Sequence, residues 1–387
     1  MGASRTMRRS RRASALRAIA VASALALCTA AKEGPTRPAD PVKDAHAFLE
    51  QLRASTGTPA VSGAVALGGK VVFSEGAGLI DLENQVPATG SSVYNIGSVS
   101  KSVTAIAVMQ LLENGRIALD DDIRKYVPAF PDKGAAISIL HLLTHTSGIR
   151  HYRTTDFPGT ADNESIRPLS WEDGLRIFAN DPLLFPPGSH YFYTSYGVNL
   201  LQGVVEKASG QSFEHYLREH VWRPAGMETA SFDIPERLVP HRARSYRIAG
   251  GQPLNYYYND LRYKFASGGM LASAEDLVKL GAALNHGRLL QPKTRAMMLS
   301  SQLQGRKRFR EGAPPDTLDF EQGMLWRLRR DPEGRFVAYE CGSVKGSNAC
   351  VVDFLEEDLV AAVATNSLEC CGWKKADALA ELFRGRN

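Results

Sequence analysis

Apolar and polar positions change rhythm three times along the chain. Two short apolar runs, residues 61–67 and 71–74, flank Gly68-Gly69-Lys70. Glycines at such a join supply the positive φ of a tight turn, so a hairpin of two strands is predicted. A helix signal precedes it: Asp40-Pro41 offers an N-cap and a first-turn proline, and Ala45, Phe48, Leu49 and Leu52 recur at helical spacing. The middle of the chain is helical in period. Residues 99–113 carry Val99, Val103, Ile106, Ala107, Leu111 and Leu112 and stop at Asn114-Gly115, a helix C-terminal signal. Further helical patterns cover 139–145, 171–179, 197–208, 212–220 and 274–285. Strand-like runs return at 335–339, 349–354 and 359–365, and a last helix covers about 373–384. Strands at both ends around a helical middle predict an α/β fold of the α+β type. Its antiparallel sheet is built from both termini and flanked by helices, with a mostly α-helical inserted subdomain over roughly 115–270.

The charge balance is misleading at face value. The chain of 387 residues has 46 Lys and Arg against 41 Asp and Glu, for a formal net charge of +5. Six arginines (Arg5, Arg8, Arg9, Arg11, Arg12 and Arg17) precede the first acid, Glu33; without residues 1–31 the 46 bases fall to 40, against 41 acids. A near-neutral body lacks the basic face needed to displace counterions from nucleic acid, which sets that partner class aside. The arginines are followed by an apolar run over residues 18–27 and then by Thr29, Ala30 and Ala31. This order is that of a secretory signal peptide, so residues 1–31 read as a leader and the protein as exported, periplasmic or secreted. The run is too short for a membrane span, which needs about 20 apolar residues. Two other readings stand beside it. Leu25-Ala26-Leu27-Cys28 resembles a lipoprotein box that would anchor a lipid at Cys28, although Leu27 sits where a small residue belongs. The Arg-, Ala- and Ser-rich, acid-free composition also fits a mitochondrial transit peptide. Residues 32–40 are a polar linker, and 41–387 the globular domain. Cys341, Cys350, Cys370 and Cys371 cluster near the C-terminus without a Cys-x-x-Cys pair, so a zinc ribbon is not expected. One disulfide is compatible with an oxidising compartment, though the neighbours Cys370 and Cys371 are poorly placed to pair with each other.

Ser98-Val99-Ser100-Lys101 opens the 99–113 helix. Residues three apart on a helix share a face, so Lys101 can reach the Ser98 hydroxyl. A serine becomes nucleophilic when a base takes its proton, and a lysine serves as that base once burial lowers its pKa. The first helical turn also offers free N–H groups and the positive dipole end to a developing oxyanion.

Around this pair the chain resembles the penicillin-recognising serine hydrolases, particularly their class C β-lactamase-like branch, which includes the mitochondrial serine β-lactamase-like proteins. The resemblance rests on residues 97–102 with 111–121, on His141-Leu142-Leu143-Thr144-His145-Thr146-Ser147-Gly148, on Pro224-Ala225-Gly226-Met227, and on residues 268–276. Together these span about residues 45–385. The resemblance implies a β-lactamase/transpeptidase-like fold and a serine acyl hydrolase in which Ser98 is the nucleophile and Lys101 its base. The family's Tyr-x-Asn motif has its counterpart in Tyr193-Thr194-Ser195. Tyr193 would share the acid and base roles, its phenol pKa pulled down by the neighbouring ammonium, and Ser195 replaces the amide. The third motif, Lys-Thr-Gly or His-x-Gly, corresponds to Glu340-Cys341-Gly342. Gly342 would allow close approach of the backbone, and the N–H groups of Ser98 and Ser343 would form the oxyanion hole. Glu340 reverses the expected charge. Facing the substrate, it would repel a substrate carboxylate and favour neutral or cationic esters and amides over β-lactams.

No metal or organic cofactor is implied, and the expected partner is a small-molecule or peptide substrate. His141 and His145 have the spacing of a zinc pair, but Leu142 stands where a metalloprotease has Glu, so both read as structural. Asp120-Asp121-Asp122 reads as a solvated turn or helix start, Tyr256-Tyr257-Tyr258 as a cleft wall or loop packing, and Asn163-Glu164-Ser165 as a glycosylation sequon. The rival to an enzyme is a catalytically silent binding or scaffold protein of the same fold, to which Ser195 and Glu340 point.

Overall fold

The computed structural model describes residues 40–157, 169–256, 259–370 and 372–385. The leader at 1–31 with Cys28, the linker up to residue 39, the sequon at Asn163, Tyr257, Tyr258 and Cys371 lie outside them. Asp40 caps the first helix, Pro41–Thr56, by accepting from the N–H groups of Val42 and Lys43, and Gly57 closes it in a left-handed conformation. The chain then forms β1 (Ala60–Leu67), turns at Gly68 and Gly69 with φ of 57° and 75°, and returns as β2 (Lys70–Asp81), followed by β3 (Val86–Pro87). β2 runs well beyond the predicted 71–74. It lies next to the sheet edge, where half-exposed polar positions hide its continuation.

Further along come β4 (Val93–Asn95), β5 (Ser231–Phe232), the hairpin of β6 (Tyr246–Ala249) and β7 (Gln252–Asn255), and β8 (Met270–Ser273). β4, β8 and β5 make a small three-stranded sheet beside the helical region. β9 (Arg308–Arg310) and β10 (Ala313–Asp316) form a second hairpin. The C-terminal part supplies β11 (Glu321–Gln322), β12 (Arg327–Arg330), β13 (Phe336–Val344), β14 (Ser347–Phe354) and β15 (Leu359–Thr365).

The main sheet has eight strands in the order β11-β12-β13-β14-β15-β1-β2-β3, each pair antiparallel. β1 lies against β15, with Val61 opposite Thr365 and Leu67 opposite Leu359, so the sheet joins both ends of the chain. β11 and β12 escape the sequence pattern because Arg327-Leu328-Arg329-Arg330 offers one apolar side chain, Leu328; charged residues are common near sheet edges, where they discourage pairing with other chains.

Two cores sandwich the sheet. On one face, helices Pro41–Thr56 and Trp373–Glu381 cover Val61, Val65, Val352 and Ala361. On the other, helix Ala274–Asn285 and the helical middle cover Ala64, Val351 and Ala362. Helix Ser100–Glu113 runs inside this second core, where residues 100–111 are all buried. A helix surrounded on every side is apolar all round, which is why it shows little stripe. The predicted helix at 171–179 is regular only over Trp171–Leu175, and that at 212–220 becomes Phe213–Leu217 followed by a π-turn, Arg218–Trp222. Cys341 and Cys350 face each other across β13 and β14 and form a disulfide; Cys370 is buried. Among the described residues no helix is long and apolar enough to cross a membrane.

Candidate active site

Ser98 sits in a 3₁₀ turn, Gly97–Val99, that leads into helix Ser100–Glu113. Gly97 takes φ of 51°, and its N–H is fixed by the Asn95 side-chain oxygen at 2.8 Å. One turn on, Lys101 is buried at 1% exposure with its Nζ aimed at two oxygens: Ser98 Oγ at 2.9 Å and the Ser267 carbonyl at 2.6 Å. The Ser267 carbonyl comes from the segment just before β8, packed against the same helix.

Tyr193 arrives from the helical middle. Its hydroxyl lies 2.6 Å from Ser98 Oγ, and Lys101 Nζ stands 4.9 Å from its ring centroid. The residue precedes helix Ser195–Ser209, whose N-cap Thr194 accepts from the Gly197 N–H at 3.1 Å. Two histidines hold this corner. His145 Nδ1 accepts from the Thr194 N–H at 3.3 Å, and its ring lies 4.7 Å from that of Tyr193. His151 Nδ1 accepts from the Ser195 N–H at 3.1 Å, with its ring edge-on to Tyr193 at 5.3 Å. His141 does separate work: it accepts from the Ser138 N–H and closes the capping box of helix Ile139–Leu143. Asp121 and Asp122 likewise serve turns, accepting from the N–H groups of Ala118 and Arg124.

β13 closes the remaining side. A Cβ on Gly342 would collide with the Ile96 carbonyl and the Ser98 nitrogen, and one on Gly97 would come within 2.6 Å of the Ser343 nitrogen. Two glycines thus let the strand press directly on the turn that carries Ser98, with the backbone nitrogens of Ser98 and Ser343 beside the contact. Alternation along the strand puts Glu340 on the same inner face as Gly342, and Cys341 on the outer one.

Glu340 departs from expectation. It is buried at 3% exposure and is absent from the walls of the cavity that opens on Ser98. Its charge is met chiefly by Arg327 on the neighbouring strand β12 and then by Lys101. A carboxylate so placed does not confront a substrate, and the argument from repulsion loses its basis. The Arg327 guanidinium lies 5.8 Å from the Tyr193 ring centroid and 5.2 Å from that of Phe320.

Burial sets the titration of the whole cluster. Removal from water lowers the Lys101 amine to about 7, against partial opposition from the Glu340 carboxylate and with help from Lys264 and Arg327. Burial raises the Glu340 carboxyl, with Arg327 and Lys101 opposing. The Tyr193 phenol is raised by burial and then by Glu340, contrary to the lowering expected from an ammonium neighbour. Burial lowers His145 well below its ordinary value and His151 to about 3, in both cases aided by Lys101, so both imidazoles are neutral at pH 7.

The cavity over Ser98 holds about 250 Å³. Besides Ser98, Tyr193, Ser195 and Ser343, its walls include His151, Tyr152, Lys264 and Lys345. Lys264, though only 3% exposed, lies 5.2 Å from the Tyr152 ring centroid. His151, Lys264, Ser267 and Arg327 were not singled out from the sequence. Ser267 had a usable signal, since it directly precedes Gly268-Gly269-Met270; Lys264 and Arg327 had none. Tyr256 lines a different cavity, with Arg242 and Lys345.

Comparison with known proteins bears on the family and the fold. The family model described as Beta-lactamase matches residues 45–378. The mitochondrial serine beta-lactamase-like protein LACTB of Homo sapiens is 30% identical over 326 residues, covering 65% of this chain and 59% of that protein. Esterase EstB of Burkholderia gladioli is 33% identical over 191 residues, 46% of this chain and 48% of the esterase. The solved structure of the octameric penicillin-binding protein homologue from Pyrococcus abyssi superposes with a TM-score of 0.76 at 25% identity, covering 89% of this chain and 78% of that one. The chain spans less than two thirds of the length of the curated relatives it matches first.

Proposed function

The chain belongs to the beta-lactamase family, and from that premise we propose that it is a serine acyl hydrolase that cleaves ester or amide bonds through an acyl-enzyme on Ser98. The observation that carries the proposal is the hydrogen-bonded trio in which Lys101 Nζ and the Tyr193 hydroxyl both reach Ser98 Oγ, at 2.9 and 2.6 Å.

The roles follow from the titration order. With its pKa lowered to about 7, Lys101 is accessible in its uncharged form at neutral pH, and its lone pair accepts the Ser98 proton as Oγ bonds the substrate carbonyl carbon. The phenol of Tyr193 stays protonated and acts as a relay: it accepts from one partner while donating to the other, and so passes the Lys101 proton to the leaving alkoxide or amine. The N–H groups of Ser98 and Ser343 receive the oxyanion where β13 presses on the turn. Water then attacks the acyl carbonyl, gives its proton back through Lys101, and frees Ser98. Glu340, buried, and the half-buried Arg327 on the neighbouring strand stand behind the relay as opposed charges. Both act electrostatically on Lys101 and Tyr193.

Similarity to a protein named as an esterase supports ester turnover. Residues 41–387 are the hydrolase unit, with the helical subdomain as its insert. The leader marks the protein for export, and similarity to mitochondrial proteins supports mitochondrial import as the alternative. The test is covalent labelling with a fluorophosphonate followed by intact mass. One adduct is expected on the parent chain and none on Ser98→Ala; equal labelling of that variant at another serine overturns the assignment.

A further inference from the structure

Beside the Ser98 cavity lies a larger one of about 520 Å³. The two share His151 and Tyr193 as walls, so the Tyr193 ring is a partition between them. On the far side four rings, Tyr191, Phe192, Phe309 and Phe320, join Tyr193, and the carboxylate Glu311 lies in the same lining. These rings are held by backbone. The Tyr191 N–H donates to the Lys307 carbonyl at 3.0 Å and the Phe309 N–H to the Tyr191 carbonyl at 2.8 Å, which pins the β9–β10 hairpin as a wall. Phe320 stands edge-on to Tyr191 at 5.7 Å, and Phe309 edge-on to Phe192 at 6.0 Å.

Three arginines also line this cavity, so its preference for an anion or a neutral group has to be decided. Arg310 is paired with Asp316, Arg308 lies 3.5 Å from Asp319, and Arg327 is met by Glu340. Their charges are already opposed by protein carboxylates. Their guanidinium groups lie instead near rings, Arg308 at 6.0 Å and Arg327 at 5.2 Å from the Phe320 centroid. Aromatic walls with matched charge suit a flat, uncharged apolar group.

We infer that this second cavity is the specificity subsite of the hydrolase, and that the substrate carries a neutral aryl group which passes His151 and Tyr193 while its carbonyl rests at Ser98. The inference rests on the proposed acyl-enzyme at Ser98 and names the substrate class that this site takes. The partition explains how one molecule occupies both spaces: a carbonyl held in the smaller cavity leaves one substituent directed along the shared wall.

The experiment compares ethyl phenylacetate with ethyl acetate on the full chain, with hydrolysis followed by acid release. Phe320→Ala removes one aromatic wall at a half-buried position, and Ala313→Trp fills the cavity from an exposed one. Each is expected to lower kcat/KM for the phenylacetate about tenfold, within the range that apolar pocket contacts supply, and to leave the acetate within about twofold. A second readout needs no turnover. In the Ser98→Ala chain, methyl phenylacetate should bind more tightly than methyl acetate by calorimetry, and Phe320→Ala should remove the difference. An unchanged ratio in both variants, or a parent preference for acyl groups ending in a carboxylate, overturns the subsite. Acetate turnover that persists in Ser98→Ala, with intact aryl binding, would instead overturn the acyl-enzyme and leave the subsite standing.

Discussion

On the outer face of β13, Val337 and Tyr339 pack beneath the terminal helices, with the Tyr339 ring 5.8 Å from Trp373, and Cys341 is tied to Cys350. Charge at that margin is paired where it is partly covered: Arg329 reaches Asp377 at 2.6 Å and lies over Trp373. On the inner face, one residue away in either direction, Glu340 and Gly342 meet Lys101, Tyr193 and the Ser98 turn. Here a carboxyl group and an amine are buried with pKa values displaced toward their neutral forms, and Glu340 Oε1 has no hydrogen-bond partner among the described residues. A single strand thus carries a face that stabilises the fold and a face that the fold must support. Buried ionisable groups cost stability unless fully paired, so residues on the inner face should trade stability for activity while those outside should not.

The most severe break of the comparison is Lys101→Met. Removing the base should lower kcat/KM at least a thousandfold on any ester the parent hydrolyses, while the melting temperature rises. The sign follows from linkage. The folded amine has a pKa of about 7 against 10.5 in the unfolded chain, so the unfolded state binds more protons between those values. Lys101 therefore makes stability rise with pH across that window, and the methionine variant should lose that slope. A variant less stable than the parent at pH 7 would contradict the view of the inner face as a burden.

Next in size is the outer face. Leu379→Ala empties space against Gly63 and should cost about 2–5 kcal/mol of stability in denaturant titration. Its kcat/KM at 25 °C should stay within about twofold, since no site atom touches it. Gly342→Ala works the other way. The added methyl meets the Ile96 carbonyl and Ser98 nitrogen, so the strand must lift from the turn. Loss of one oxyanion donor predicts a fall of about 10²–10³ in kcat, larger than any accompanying change in KM.

The order of the elements could be read directly, because the glycine-joined hairpin, the long apolar helix and the late apolar strands each carry a local signal. Ser98 and Lys101 were legible for the same reason, their spacing being a property of one helix. What could not be read was anything set by contact between distant segments. Alternation says that Glu340 and Gly342 share a face, yet only the seating of β13 on the 97–98 turn, with Arg327 alongside from a strand that has one apolar residue, reveals that Glu340 is enclosed behind the site. The direction of the Tyr193 shift failed likewise. A nearby ammonium was visible in the motif, whereas burial and the Glu340 carboxylate, which outweigh it, were not.

The smallest expected effect is the sharpest on the inner face. Glu340→Gln removes the charge that holds the Lys101 pKa up, so the acidic limb of kcat/KM should move to lower pH, by up to about one unit, with little change in the plateau. A move to higher pH would show that Glu340 does not act on Lys101.

The central claim is that the amine of Lys101, rather than the phenol of Tyr193, takes the proton from Ser98. The direct measurement is the rate of Ser98 phosphonylation by a fluorophosphonate, with loss of fluoride, from pH 5 to 10, followed by intact mass, on the parent and on Tyr193→Phe. The account predicts an acidic limb near pH 7 in both, with a slower plateau in the variant. A limb near pH 10, or one that vanishes when the phenol hydroxyl is removed, would contradict it.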